Sequence, residues 1–212
     1  MGLFGGNEKK CVFCGKEQGF LAGVFGINLA GGEYMCGDCR EKCAPGDIDF
    51  SKLTVNNVRG MMEAMNANRR KGQDFQATRK LNTGRNRNVD FLEVDEKHGW
   101  FRKASEKDAI IFDLNDVFHF TVNVEMAVLE EGKSFDFYTY EYPELPRCPE
   151  GCRVTSAKLV IWFAKNRLGL EKLELDLIPT FSPEEGDARG GYACAHEFFE
   201  LMRDYRNAQR EY

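Results

Sequence analysis

A chain of 212 residues, 42% hydrophobic and 30% charged, is long enough for one medium domain, or for a small module beside a domain of about 130–150 residues. Its longest unbroken apolar run, Leu159 to Ala164, is too short to span a bilayer, so an integral membrane protein is not expected. The formal net charge of −5 counts against attraction of the whole surface to nucleic acid or anionic lipid, and leaves only local patches for such partners.

The chain opens on Met1 to Gly6, which carry neither the basic start nor the apolar run of a secretory leader; reduced thiols and a cytoplasmic location are expected. Gly2 invites N-myristoylation, but Gly6 stands where Ser or Thr is wanted. Next comes Cys11-Val12-Phe13-Cys14-Gly15-Lys16, answered about twenty residues later by Cys36-Gly37-Asp38-Cys39. Two Cys-x-x-Cys turns at that separation present four thiolates to one tetrahedral ion, each about 2.3 Å from it, which is the all-thiolate shell of a structural zinc site. Cys11, Cys14, Cys36 and Cys39 are therefore the expected ligands of one Zn2+, with no coordination position left for water or substrate. Gly15 and Gly37 are expected to relieve the tight turns, where a Cβ would crowd the metal. Paired disulfides or a redox Cys-x-x-Cys are alternative uses of these cysteines, opposed by the missing leader and by the lack of a βαβ pattern. A module this short has little core, so metal affinity of about 10–16 kcal/mol would be its folding energy, and residues 11–39 should be disordered without metal.

Between the turns, Gly19 to Ile27 and Ala30 to Met35 read as two short strands joined by a glycine turn, which is ribbon architecture. Cys43, four residues past Cys39, is either a substitute ligand or a bystander, and the bystander reading is favoured because the ion already has four better-spaced partners. Pro45-Gly46-Asp47 closes a zinc-ribbon-like module over residues 1–47.

From Ser51 to about Lys71 the spacing becomes helical, with Val55, Val58, Met62 and Met65 along one face and Ser51 or Thr54 placed to cap it. Residues 59–87 hold Arg59, Arg69, Arg70, Lys71, Arg79, Lys80, Arg85 and Arg87 against only Glu63 and Asp74. Residues 48–82 thus read as a helical linker with a basic patch. That patch is either a solvated face or a surface for the phosphates of nucleic acid or anionic lipid, and Phe75 is the one interleaved aromatic available for base stacking.

After Asn88 the pattern is that of strands. Val89 to Val94 and Trp100 to Lys103 flank Asp95-Glu96-Lys97-His98-Gly99, a hairpin turn with glycine where a positive φ is expected. Ala109 to Phe112 leads through a polar turn, Asp113 to Asp116, into Val117 to Glu125, where Phe118, Phe120, Val122 and Val124 alternate onto one apolar face. Phe135, Phe137 and Thr139 alternate with Asp136, Tyr138 and Tyr140. Lys158 to Ala164 and Leu170 to Ile178 form a last hairpin, with Leu173, Leu175 and Leu177 inward and Glu174 and Asp176 outward. About seven strands in meander order are expected. Cys194, Phe198, Leu201, Met202 and Tyr205 then share one face of a C-terminal helix. The fold class is α+β: the small ribbon, the linker helix, and, over residues 83–212, a curved antiparallel sheet or small barrel with a helix on its open side.

The N-terminal part resembles a bacterial domain-of-unknown-function family, carried here by Met1 to Phe4, Cys11 to Lys16, the glycine-rich span and Cys36 to Cys39. The C-terminal part is similar to bacterial pleckstrin-homology-like (PH-like) domains in Phe75 to Lys80, in the hairpin from Val89 to Arg102 with Asp95, and in Ile111 to Val117. Many relatives carry a glycine-rich insert before the final hairpin, where this chain has Tyr138 to Cys152. The resemblance implies zinc binding and a barrel-like partner domain, and no reaction.

A second metal site can be drawn from Cys148, Cys152, Cys194 and His196, but on a helix His196 points about 200° away from Cys194. His98, His119 and His196 lie in no nucleophile or metalloenzyme motif, and the glycines between the knuckles lack the Gly-Lys-Ser/Thr of a phosphate loop, so no enzyme is expected. The expected function is that of a non-catalytic adaptor, its zinc module and PH-like domain binding protein partners. The alternative is nucleic-acid or anionic-membrane-surface binding through 59–87, with Arg69, Arg70 and Lys71 at its centre.

Overall fold

The computed structural model describes residues 10–17, 26–43, 46, 48–81, 92–104, 109–128, 135–141, 152–164, 168–178 and 185–210. They fall into two units, one of Met1–Arg70 with Asn166–Leu170, the other of Lys71–Lys165 with Glu171–Tyr212.

Among the described residues of unit 1 the strands are minimal. β1 (Ile27–Asn28) pairs antiparallel with β2 (Tyr34–Met35), Ile27 opposite Met35 and Asn28 opposite Tyr34. The span expected to be a strand from Ala30 is instead mostly turn, because Gly32 N–H donates to the Leu29 carbonyl at 2.9 Å and Leu29 N–H to that of Glu33 at 2.8 Å. Of the other expected strand, residues 18–25 lie outside the described residues, as do Met1 to Phe4, Pro45 and Asp47. A one-turn helix, α1 (Gly37–Arg40), follows β2, and a 3-10 turn (Phe50–Lys52) leads to α2 (Val55–Asp74). Thr54 caps α2: its Oγ1 accepts from Asn57 N–H at 3.3 Å while Asn57 Oδ1 accepts from Thr54 N–H at 3.1 Å, the reciprocal arrangement of a capping box with Asn in the carboxylate's place. Ser51 does not serve there, since it lies within the preceding 3-10 turn and its hydroxyl donates to Asp49 Oδ1. The buried stripe of α2 is Val58, Met61, Met65 and Asn68, a rotation from the expected face that leaves Met62 partly buried. Val58 and Met61 join Leu29, Tyr34, Met35, Phe50, Cys11, Cys36, Cys39 and Cys43 in the core of unit 1.

Unit 2 holds two four-stranded antiparallel sheets and no closed barrel among the described residues. One sheet is a meander of β3 (Arg79–Leu81), β4 (Leu92–Asp95), β5 (Trp100–Lys103) and β6 (Phe112–Asp113). β3 lies in the stretch read as linker; its three residues pair with β4 from Arg79↔Val94 to Leu81↔Leu92. Residues 82–91, the expected start of the β4 strand among them, lie outside the described residues. The other sheet has β7 (Val117–Val128), β8 (Phe135–Glu141), β9 (Cys152–Phe163) and β10 (Lys172–Ile178) in the order β10-β9-β7-β8, which departs from a pure meander because β7 takes both β8 and β9 as neighbours. Leu175 and Leu177 are buried and Glu174 and Asp176 exposed, as alternation requires.

The core of unit 2 is aromatic. Phe101 stacks on Phe112 at 5.4 Å and meets Phe198 edge-on at 5.9 Å, Phe112 stacks on Phe163 at 4.6 Å, and Phe120 stacks on Phe199 at 4.9 Å. Phe198 and Phe199 come from α3 (Glu185–Arg210), whose buried side chains include Cys194, Ala195, Leu201 and Met202. Phe118 departs from the expected alternation and is 74% exposed. Val117 faces Phe163 and His119 faces Trp162, so Phe118 is the extra residue of a β-bulge. Arg206 Nη2 donates to the Val117 carbonyl at 3.1 Å and the Phe118 carbonyl at 3.3 Å, bracing the irregular backbone from α3.

Candidate metal centre

Both cysteine turns are closed by backbone hydrogen bonds. In the first, Gly15 N–H donates to the Cys11 carbonyl at 2.8 Å and Cys11 N–H to that of Lys16 at 2.9 Å, with Gly15 at φ +71°. The glycine is needed for that left-handed dihedral and not for room, since a Cβ on it would meet nothing within 4 Å. The second turn needs no such device: Gly37 opens α1 with an ordinary backbone, and Cys39 and Arg40 N–H both donate to the Cys36 carbonyl at 3.1 Å. Val12 N–H donates to the Tyr34 carbonyl at 2.9 Å, tying the first turn to β2, the strand that delivers Cys36. Lys16 and Asp38, one from each turn, form an exposed ion pair at 2.7 Å.

This framework brings Cys11, Cys14, Cys36 and Cys39 together with all four sulfurs within 4.8 Å of one another, three of them buried and Cys14 exposed. Cys14 Sγ and Cys36 Sγ are 3.6 Å apart. A tetrahedral shell with bonds of about 2.3 Å places its sulfurs about 3.8 Å from each other, so the four residues fit a tetrahedral thiolate-binding ion.

The sulfurs also sit among donors suited to negative charge. Burial pushes the Cys11 thiol up, but the backbone N–H groups of Cys36, Cys14 and Phe13 outweigh it and bring its pKa down to about 6. Cys36 N–H lies 3.4 Å from Cys11 Sγ. Cys36 and Cys39 shift the other way, raised by burial and by the neighbouring thiols. Four sulfurs this close cannot all ionise unless a cation joins them, and a bound metal ion is what deprotonates the whole set. Cys43 stays apart: it is buried, its thiol is 3.9 Å from the Cys39 carbonyl, and burial raises its pKa.

The other residues singled out in the sequence are dispersed or already engaged. Cys148 lies outside the described residues, as does the Cys152 side chain. Cys194 is buried with its pKa pushed up to about 12 by burial and by Glu197, and His196 on the same helix is exposed. Within the basic stretch, Lys71 pairs with Asp113 at 2.6 Å, Arg79 with Glu96 at 3.8 Å and Lys80 with Glu93 at 2.9 Å. Arg85 and Arg87 lie outside the described residues, while Arg59, Arg69 and Arg70 are exposed.

One buried polar site falls at the hairpin turn, where the sequence had marked no polar cluster. Asp95, fully buried at the end of β4, accepts from Gln76 N–H at 2.9 Å, from His98 N–H at 3.2 Å and makes a 2.8 Å contact with His98 Nδ1. The His98 ring stacks on Trp100 with centroids 4.5 Å apart. Burial works to raise the Asp95 pKa, and these donors outweigh it and hold the carboxyl below its ordinary range. An Asp three residues before a His across a glycine-ended turn was the available signal.

The chain matches no known family model, no curated protein and no solved structure.

Proposed function

We propose that the four cysteines hold one structural Zn2+ and that the chain is a non-catalytic interaction protein, with a zinc-clamped module and a PH-like domain each offering a binding surface to protein partners. The observation that carries the metal half is the convergence of four thiols, three buried, within 4.8 Å on a backbone already hydrogen-bonded around them. A shell of four thiolates is closed to water and substrate, so the ion's role is to fold the module. For the second half, the support is the strand edges left at β3, β6, β8 and β10 among the described residues, together with the resemblance to PH-like domains read from the sequence alone. No helix of the described residues is long and apolar enough to cross a membrane.

Elemental analysis of the purified full chain tests the metal half, with one zinc per chain expected; its absence would overturn the reading. The alternative use, recognition of phosphates on nucleic acid or anionic lipid, keeps among the described residues Arg59, Arg69 and Arg70 as exposed cations, with Lys71, Arg79 and Lys80 each in an ion pair. It requires retention on DNA, RNA or anionic vesicles at low salt, lost in the Arg69→Glu/Arg70→Glu variant and falling steeply with added salt. Absence of retention by the wild-type chain excludes it.

A further inference from the structure

We infer that Cys14 is an oxidative modification site and that peroxide acting there ejects the metal by joining Cys14 to Cys36. The inference rests on the zinc reading above and adds to it a point of attack. Three of the four sulfurs are buried and Cys14 alone is exposed, so a small two-electron oxidant in solvent meets that ligand first. Its sulfur lies 3.6 Å from Cys36 Sγ, so a buried resolving thiolate is already in place beside the reactive one.

The steps balance with hydrogen peroxide as oxidant. The Cys14 thiolate attacks one peroxide oxygen; an S–O bond forms, the O–O bond breaks and hydroxide leaves, so that sulfur loses two electrons and peroxide gains them. The Cys36 thiolate then attacks the Cys14 sulfenic sulfur; an S–S bond forms, the S–O bond breaks and a second hydroxide leaves. Two of the four ligands are consumed and Zn2+ passes to solvent. A dithiol reductant returns both thiolates and permits zinc to rebind.

The experiment uses the full chain with its zinc content measured beforehand. Hydrogen peroxide is added at limiting amounts, released zinc is followed with a chromogenic chelator, and disulfides are mapped by mass spectrometry. The expected result is one zinc released per Cys14–Cys36 disulfide formed, with both reversed by dithiothreitol. Cys14→His keeps a zinc-competent ligand without the oxidisable sulfur, and should lose zinc about tenfold more slowly. Zinc release while Cys14 remains alkylatable, or release from Cys14→His at the wild-type rate, would overturn the inference. If Cys14→His fails to load zinc, the wild-type disulfide map decides. A chain that carries no zinc at the outset overturns the zinc reading and this inference with it, whereas a zinc-loaded chain that keeps its metal while Cys14 is oxidised overturns this inference alone.

Discussion

Unit 1 builds its core from Cys11, Cys36, Cys39 and Cys43 among Leu29, Tyr34, Met35, Phe50, Val58 and Met61, on strands of two residues each. Unit 2 builds its core from interlocked rings, Phe101, Phe112, Phe163, Phe198 and Phe199, on sheets whose longest strands run twelve residues. A thiol is a small hydrophobe, whereas a phenylalanine buries far more apolar area and adds ring–ring contacts. Burial alone can hold the second unit. Among its described residues the first has one short ladder, between β1 and β2, and the ion proposed for its sulfurs would add to that hold. The two units should therefore fail under different treatments.

The largest effect should come from chelation. Stripping zinc, or replacing buried Cys39 with Ser, removes a contribution on the order of 10 kcal/mol from unit 1, and amide exchange across residues 26–43 should then approach that of an unstructured chain while β7 and β9 keep their protection. Equal collapse of both sets of amides would erase the distinction between the units. Second in size is Phe101→Ala, which opens a cavity among rings and should lower the denaturant-unfolding free energy of unit 2 by about 3–5 kcal/mol, with zinc content per chain unchanged.

Asp95→Asn should cost unit 2 about 1–3 kcal/mol, because a buried acceptor of three donors loses its charge and part of its bonding. Its pH signature comes from the direction of the shift. The folded-state pKa of Asp95 is depressed, so its contribution is complete above the ordinary carboxylate pKa of about 4 and is lost as pH falls through the lower folded value. The acid limb of a melting profile should be shallower in the variant. The metal proposed for the four cysteines would answer acid by another route, protonation of its thiolates, so its release should be complete at a pH where wild-type unit 2 remains folded. Smallest should be Arg206→Ala, about 1 kcal/mol, since the bulge carbonyls it serves can turn to water; faster amide exchange around Phe118 would register it.

Much of the architecture is written locally in the chain. The paired Cys-x-x-Cys spacing pointed to the four residues whose sulfurs converge, because a knuckle is a four-residue turn whose geometry depends on little outside it. The hairpin at Gly99, the Thr54 cap and the inward leucines of β10 were legible for the same reason, each resting on dihedral preference or on a period of two. What the chain alone could not decide was everything set by distant partners. Phe118 reads as core by alternation, and only pairing with β9 reveals the extra residue that turns it to solvent. The buried face of α2 was rotated to Met61 by the core it meets, three basic residues proved already matched to carboxylates elsewhere in the chain, and β9 took its place beside β7 instead of β8. Register, ion pairing and strand order depend on which long-range contacts are made together, and no local propensity encodes that choice.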